Sequence, residues 1–168
     1  MLSARQAYAT IRFMFEIMPQ LEDPSTEGSL RHVFVYGTLR RGEQRDINRL
    51  LPAPVWVGSG RVAGTLYDLG SYPGLVLGEG GEAVGEVYRV TAGLERLLDE
   101  IEEVWPQESG EYIRNHVPVT LQDGPPGASR ERVCLIYAVN PVCTHRRSVI
   151  VGGDWVQHRL TLSGIGFS

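Results

Sequence analysis

The clearest pattern in the chain is a stripe of apolar residues at helical spacing. It follows Thr91, a residue type that caps helix N-termini, and precedes Pro106. We predict a helix over 92–104, because a proline disfavours helical conformation in the residue before it. A second, shorter helix is predicted over 155–162. The stripe of the first helix consists of Leu94, Leu97, Leu98 and Ile101.

Elsewhere the pattern is one of short apolar or alternating runs separated by glycine, which is typical of strands with bends. The segment Gly78–Gly81 is predicted to be a tight turn, and the loop 123–130 to join the last two strands as an antiparallel hairpin. Many short strands and few helices indicate an α+β fold, a small and mostly antiparallel β-barrel with a few flanking helices. The predicted strands are 32–36, 55–66, 83–90, 112–122 and 132–139.

Residues 1–30 differ from the rest of the chain. Ile11, Met14, Phe15 and Met18 have the spacing of an amphipathic helix, and a Pro-, Ser- and Gly-containing stretch follows. We divide the chain into an N-terminal arm and linker, 1–30, and one domain, 31–168. The sequence leaves open whether the arm docks on the domain, contacts another subunit or is disordered. Charged residues interrupt its apolar positions, so we do not expect a secretory signal.

Composition and net charge argue against two classes of function, nucleic-acid binding and membrane association. The 168 residues suffice for one domain with its own core. A formal net charge of -4 argues against a nucleic-acid partner, since such proteins usually carry a basic surface. The chain has no apolar run long enough to span a membrane, so we expect no membrane association. The oligomeric state stays open.

The two cysteines, Cys134 and Cys143, are too few for a disulfide scaffold, so we expect a cytoplasmic protein. Cys143 and His145 lie close in the chain, but no second pair with zinc-ligand spacing accompanies them. We therefore interpret this pair as incidental and expect neither a metal nor a cofactor.

Two segments could carry chemistry. The apolar run Val33–Val35 leads into Tyr36-Gly37-Thr38-Leu39, and a strand that ends at glycine can expose backbone N–H groups to an oxyanion. Glu102 lies at the edge of the apolar stripe near the C-terminal end of the predicted helix. Desolvation and the helix dipole both raise the pKa of a carboxylate there, which makes it a better proton acceptor near neutral pH. Periodicity alone is also compatible with an ordinary carboxylate on a solvated helix.

These segments and several downstream blocks resemble the gamma-glutamylcyclotransferase-like family, of the type that includes gamma-glutamylamine cyclotransferases and AIG2-like plant proteins. The resemblance covers about residues 32–158. It implies a cyclotransferase that forms 5-oxoproline from a small gamma-glutamyl amide, with Glu102 as the general acid/base. It also implies a loop that binds the gamma-glutamyl group. The matching blocks are Tyr36–Leu39, Gly64–Asp68, Tyr72–Gly74, Gly85–Tyr88, Leu98–Glu102 and Gly153–Trp155.

The chain departs from the family pattern beside this glutamate. Glu103 stands where the family usually has glycine, and 105–111 resembles an insertion before Tyr112. The leaving amine and the effect of these departures on the pocket are left open. Tyr112 is a candidate substrate-binding residue together with Tyr36, Gly37, Thr38 and Leu39. Arg114 is a weaker candidate for a substrate carboxylate.

Asp154 and His158 are spaced i, i+4, but no nucleophile lies beside them, so we interpret them as helix surface or capping residues. The alternative to an enzyme is a non-catalytic module that binds a small amino-acid-like ligand. The retained glutamate favours the enzyme, because a binding module needs no acid/base.

Overall fold

The computed structural model describes residues 31–123 and 128–164. The arm 1–30 and its predicted amphipathic helix lie outside the described residues, and so does part of the loop predicted over 123–130. Neither α-helix of the described segments is long and apolar enough to cross a membrane.

Five strands form a closed barrel. β1 pairs antiparallel with β3 and parallel with β5, through Val33 and Leu135. Antiparallel pairings of β3 with β2, β2 with β4 and β4 with β5 complete the ring. The predicted fold, a small and mostly antiparallel barrel with flanking helices, is confirmed. The strands are β1 (Arg31–Val35), β2 (Val55–Asp68), β3 (Pro73–Val90), β4 (Tyr112–Leu121) and β5 (Glu131–Val139), and a short β6 (Ser148–Val149) pairs antiparallel with the end of β2.

The segment Gly78–Gly81 is not the predicted tight turn between two strands. It lies inside the single long strand β3, where pairing with β2 jumps from Leu77 to Glu82. Gly78 and Gly80 adopt positive φ, which lets the four residues bulge out while the strand continues. The glycine pattern therefore marked a break in pairing, not the end of a strand.

The helices are short and capped by side chains. α1 (Ala92–Ile101) begins after Thr91, whose hydroxyl accepts a hydrogen bond from the N–H of Leu94. α2 (Trp155–Leu162) begins after Asp154, whose carboxylate accepts from two N–H groups of the first turn. Two 3-10 helices, Ile47–Arg49 and Pro141–Thr144, lie in the connections.

Two apolar clusters hold the fold together, and β1 contributes to both. Phe34 and Tyr36 point into the barrel interior, whereas Val33 and Val35 pack under α1 with Leu94, Leu98 and other residues. Burial on both faces explains why β1 is a continuous apolar run and not an alternating one. Because α1 packs on the outer face of β1, the C-terminal end of the helix reaches the turn that follows the strand.

α1 ends three residues earlier than predicted, at Ile101. Its last turn closes with hydrogen bonds from the N–H of Glu103 to the carbonyl of Glu100 (3.2 Å) and from the N–H of Val104 to the carbonyl of Asp99 (2.9 Å). These two bonds define a Schellman motif, whose C′ residue is left-handed and usually glycine. Here that residue is Glu103, with φ of 53°. Backbone capping, not Pro106, therefore terminates the helix.

Replacing Glu103 with glycine is expected to stabilise the protein by about 1 kcal/mol, since glycine adopts the left-handed conformation without the steric cost that a Cβ imposes. Chemical denaturation would show a higher midpoint for Glu103→Gly than for the parent. Glu100→Gly, on the exposed side of α1, is the control and should destabilise by about 1 kcal/mol. A lower midpoint for Glu103→Gly would contradict this account of the helix end.

Candidate active site

A cavity of about 250 Å³ opens where β1 ends and α1 ends. Its walls come from the turn after β1, the start of β3, the end of α1 and the start of β4. The size suits a small ligand such as an amino acid with a short substituent. Its lining includes Tyr36, Gly37, Thr38, Leu39, Arg45, Tyr72, Pro73, Ile101, Glu102, Glu103, Glu111, Tyr112 and Tyr137.

The turn Gly37–Leu39 presents its N–H groups without acceptors. The carbonyls of Gly37, Thr38 and Leu39 accept hydrogen bonds from the N–H groups of Arg40, Arg45 and Ile47 respectively, at 2.9 to 3.0 Å. Within 31–123 and 128–164, none of the three N–H groups of the turn donates a hydrogen bond. Unused donors beside a cavity are available to an anionic oxygen.

The turn also needs glycine at its first position. A Cβ on Gly37 would lie 2.7 Å from Cγ and 2.9 Å from Cδ of Pro73, closer than real Cβ contacts. The carbonyl of Pro73 in turn accepts a hydrogen bond from the hydroxyl of Tyr112 at 3.0 Å. The turn and the start of β3 are therefore in direct contact, with no room for a side chain between Gly37 and Pro73.

A network of charges holds the turn from behind. The guanidinium of Arg40 donates to Asp154 Oδ1 (2.8 Å) and to Glu86 Oε1 (3.3 Å). Glu86 is buried and accepts from the N–H of Arg41 and from the hydroxyl of Tyr88, both at 2.9 Å. Because these partners lie on β3 and at the start of α2, the network fixes the turn to two other elements.

Glu102 is the C-cap residue of α1, and its carboxylate lies in the cavity with the turn. Burial raises the pKa of Glu102 to about 7, against an ordinary value of 4.5. The Arg45 cation lowers this pKa, whereas the nearby carboxylates of Glu111 and Glu103 raise it. A carboxylate with this pKa can both accept and return a proton near neutral pH.

The pKa of Glu102 predicts a pH dependence. If its ionised form is the required base, kcat/KM should be low in acid and rise with pH, with an apparent midpoint near 7. Glu103→Gln removes a negative charge that raises this pKa, so its midpoint should lie at lower pH. Steady-state rates from pH 5 to 9 for both proteins measure the two midpoints. A midpoint near 4.5 in the parent would contradict the assignment.

The two predicted tyrosines line the cavity with their hydroxyls already engaged. The hydroxyl of Tyr36 donates to the carbonyl of Tyr137 at 2.6 Å, and burial raises the pKa of Tyr36 far above its usual range. Burial likewise raises the pKa of Tyr112, whose hydroxyl donates to Pro73. Both phenols are therefore neutral and shape the cavity wall.

Among the cavity residues that the sequence did not reveal, two carry a charge. Glu111 accepts a hydrogen bond from the hydroxyl of Tyr72 at 2.8 Å and faces the same cavity as Glu102. Arg45 is the second charged residue. It lies in a polar stretch whose sequence shows no helical or strand periodicity. The sequence feature that could have drawn attention to Glu111 was the apparent insertion at 105–111, relative to the family pattern.

Arg114 does not reach the cavity. Its guanidinium pairs with Glu95 and with Asp99 (2.7 Å), two buried carboxylates of α1. It therefore fastens β4 to the helix.

Of the predicted Asp154–His158 pair, Asp154 caps α2, whereas Nε2 of His158 lies 2.8 Å from Oδ2 of Asp68. The interpretation of Asp154 as a capping residue is confirmed.

Comparison with known proteins places these features in a family. Residues 33–157 match the family model described as gamma-glutamyl cyclotransferase, AIG2-like. The gamma-L-glutamyl-butirosin B gamma-glutamyl cyclotransferase of Niallia circulans is 40% identical over 130 residues, 77% of this chain and 78% of that protein. A candidate gamma-glutamylcyclotransferase of Vibrio cholerae is 38% identical over 127 residues, 74% of this chain and 95% of that protein.

Among solved structures, YkqA from Bacillus subtilis superimposes with a TM-score of 0.62 at 25% identity. The match covers 81% of this chain and 43% of that one, so this chain spans less than half of YkqA.

Proposed function

The chain belongs to the gamma-glutamyl cyclotransferase, AIG2-like family, and on this premise we propose that it releases an amine from a small gamma-glutamyl amide and forms 5-oxoproline. The observation that carries the proposal is one cavity that contains both the carboxylate of Glu102 and the unused N–H groups of Gly37–Leu39. The carboxylate can accept and return a proton, and the N–H groups can bind an oxyanion.

The substrate supplies its own nucleophile. Attack of the α-amine on the γ-carbonyl closes a five-membered ring, so the protein need only hold the folded conformer. The α-amine is an ammonium near pH 7, and Glu102 takes one of its protons. The nitrogen then attacks, the carbonyl oxygen becomes an oxyanion, and the N–H groups of the turn stabilise it by about 3 kcal/mol per donor.

Collapse of the tetrahedral intermediate breaks the bond to the amide nitrogen. Glu102 returns its proton to that nitrogen, which leaves as an amine. The ring nitrogen gives up its excess proton to water, and the released amine takes up one proton from water to become an ammonium. One ammonium is consumed and one is formed, so protons balance and Glu102 ends ionised.

The proposal is tested by incubating the purified protein with a panel of gamma-glutamyl amides and measuring 5-oxoproline and free amine in equal amounts. The matched α-glutamyl amides are the control, because their α-amine cannot close a five-membered ring on the scissile carbonyl. Binding of the panel without 5-oxoproline formation would overturn the proposal in favour of the alternative, a non-catalytic binding module.

A further inference from the structure

Arg45 lies at the border of two cavities. Its N–H donates to the carbonyl of Thr38 at 2.9 Å, which fixes its backbone to the turn. Its side chain lines the cavity that contains Glu102 and also an adjoining, more open cleft. Within the described part of the chain, the two cavities share one other residue, Ile101, the neighbour of Glu102. The cleft is lined by Gln44, Arg45, Asp46, Arg49, Leu50 and Ile101.

The charges of the cleft, and not those of the first cavity, suit an anion. Among the residues that the structure describes, Arg45 is the only cation that lines the first cavity, where Glu102, Glu103 and Glu111 carry carboxylates. Arg49 adds a second cation in the cleft. Throughout 31–123 and 128–164, the side chain of Arg45 takes part in no ion pair or hydrogen bond. A guanidinium exposed at a cavity border is available to a ligand, and its planar fork matches a carboxylate.

Asp46 also lines the cleft but is committed elsewhere. One carboxylate oxygen accepts from the N–H of Gly42 at 2.8 Å. The other accepts from the backbone N–H and the side-chain amide of Asn48, at 2.9 Å and 2.7 Å. Because its two oxygens already accept three hydrogen bonds, the Asp46 carboxylate shapes the 3-10 helix that carries Arg49. Arg45 and Arg49 together outweigh this one negative charge, so the cleft has a net positive charge.

The geometry of the proposed reaction places the leaving group beside this cleft. Glu102 returns a proton to the leaving nitrogen, so that nitrogen lies within hydrogen-bond reach of the carboxylate. Ile101, the preceding residue, lines both cavities. A substituent on the leaving nitrogen can therefore extend past Ile101 toward Arg45 and Arg49.

We propose that the cleft is a subsite for the leaving amine and that Arg45, supported by Arg49, selects gamma-glutamyl amides whose leaving amine carries a carboxylate close to its nitrogen. This inference rests on the proposed function. It makes Arg45 a specificity residue that contacts the departing half of the substrate and not the gamma-glutamyl half.

Three substrates that share the gamma-glutamyl group test the inference. They are gamma-glutamylglycine, its neutral glycinamide analogue and an analogue with ethylenediamine as the cationic leaving group. The parent should show a kcat/KM about 10-fold or more higher for gamma-glutamylglycine than for the other two. At a pH above the acidic limb of both proteins, Arg45→Gln should lose about 10- to 100-fold in kcat/KM on gamma-glutamylglycine, the range of one charge-assisted interaction, and change little on the glycinamide.

Further variants sharpen the result. Arg45→Lys should recover part of the loss, and Arg49→Gln should show a smaller loss in the same direction. Arg96→Gln, on the exposed side of α1, removes the same charge away from both cavities and is the matched control. The acidic limb of kcat/KM should also move to higher pH in Arg45→Gln, because the cation lowers the pKa of Glu102.

The outcomes separate this inference from the proposed function. Equal losses on the carboxylate and neutral substrates would overturn the inference, since Arg45 would then contact the gamma-glutamyl half. A parent preference for the neutral or cationic leaving group would overturn it as well, while 5-oxoproline formation would still support the proposed function. Absence of 5-oxoproline from all three substrates would overturn both.

Discussion

Glu102→Gln is expected to lower kcat by about 10³- to 10⁴-fold while ligand binding survives. General acid/base groups typically contribute about 10²- to 10⁴-fold. Here one carboxylate serves both proton transfers, so the loss should lie in the upper part of that range. Glutamine keeps the shape and can hydrogen-bond, but it cannot take the proton from the α-ammonium. Calorimetric titration with a gamma-glutamyl amide measures binding, and 5-oxoproline release measures turnover.

The stability of the same variant separates a chemical defect from a folding defect. The pKa of Glu102 is about 7 in the folded protein and near 4.5 in the unfolded chain, so folding favours the protonated form. The free energy of unfolding of the parent therefore falls as pH rises from about 4.5 through 7. Glutamine is neutral throughout. Glu102→Gln should thus be more stable than the parent at pH 8, and this difference should vanish below pH 4.5.

Glu103→Gln is the matched control for this experiment. Glu103 is exposed at the lip of the cavity, one position beyond Glu102 and in a left-handed conformation. At pH 8, above both midpoints, Glu103→Gln should turn over substrate at nearly the parental rate. Parental activity in Glu102→Gln, on a substrate that the parent converts, would show that Glu102 is not the acid/base.

The second large effect is expected at Gly37. Gly37→Ala places a methyl group 2.7 Å and 2.9 Å from two ring carbons of Pro73, so either the turn or the ring must move. A displaced turn no longer directs its N–H groups at the oxyanion. Loss of one such donor costs about 10²- to 10³-fold in kcat, and we expect a loss in that range.

A rescue variant tests whether the clash is the cause. Pro73→Ala removes both of the ring atoms that the new methyl group would contact, so Gly37→Ala combined with Pro73→Ala should recover part of the lost activity. Gly93→Ala is the control for adding a methyl group, since the nearest atom to its Cβ is the hydroxyl of Thr91 at 3.9 Å. An undiminished rate in Gly37→Ala would contradict the assigned role of the turn.

The sequence predicted much of this arrangement, because its evidence was local. An apolar run that stops at glycine identified β1 and its turn, and the helical stripe identified α1. Glu102 stood out because the stripe fixed its position relative to the buried face. Each of these features depends on neighbours within a few residues, which is what periodicity can report.

Two kinds of feature could not be predicted: one that goes against the usual residue preference, and those that depend on distant parts of the chain. The last turn of α1 closes on its own carbonyls with a glutamate in the left-handed position, against the usual preference for glycine there. Arg114 was predicted as a possible ligand of a substrate carboxylate, because the sequence does not show that tertiary packing pairs it with Glu95 and Asp99. Arg45 carries no periodic signal, and only the fold brings it beside Ile101 and the turn.

The closure of the barrel has a consequence for how the protein folds. The hydrogen bond from Tyr36 to Tyr137 joins residues 101 positions apart in the chain, and the parallel pairing of β1 with β5 joins the same two segments. Such non-local contacts form slowly, because the entropy of closing a long loop must be overcome before they stabilise anything. A partly folded chain with its β2–β3 hairpin formed would still lack the cavity. Recovery of activity during refolding would therefore report on barrel closure.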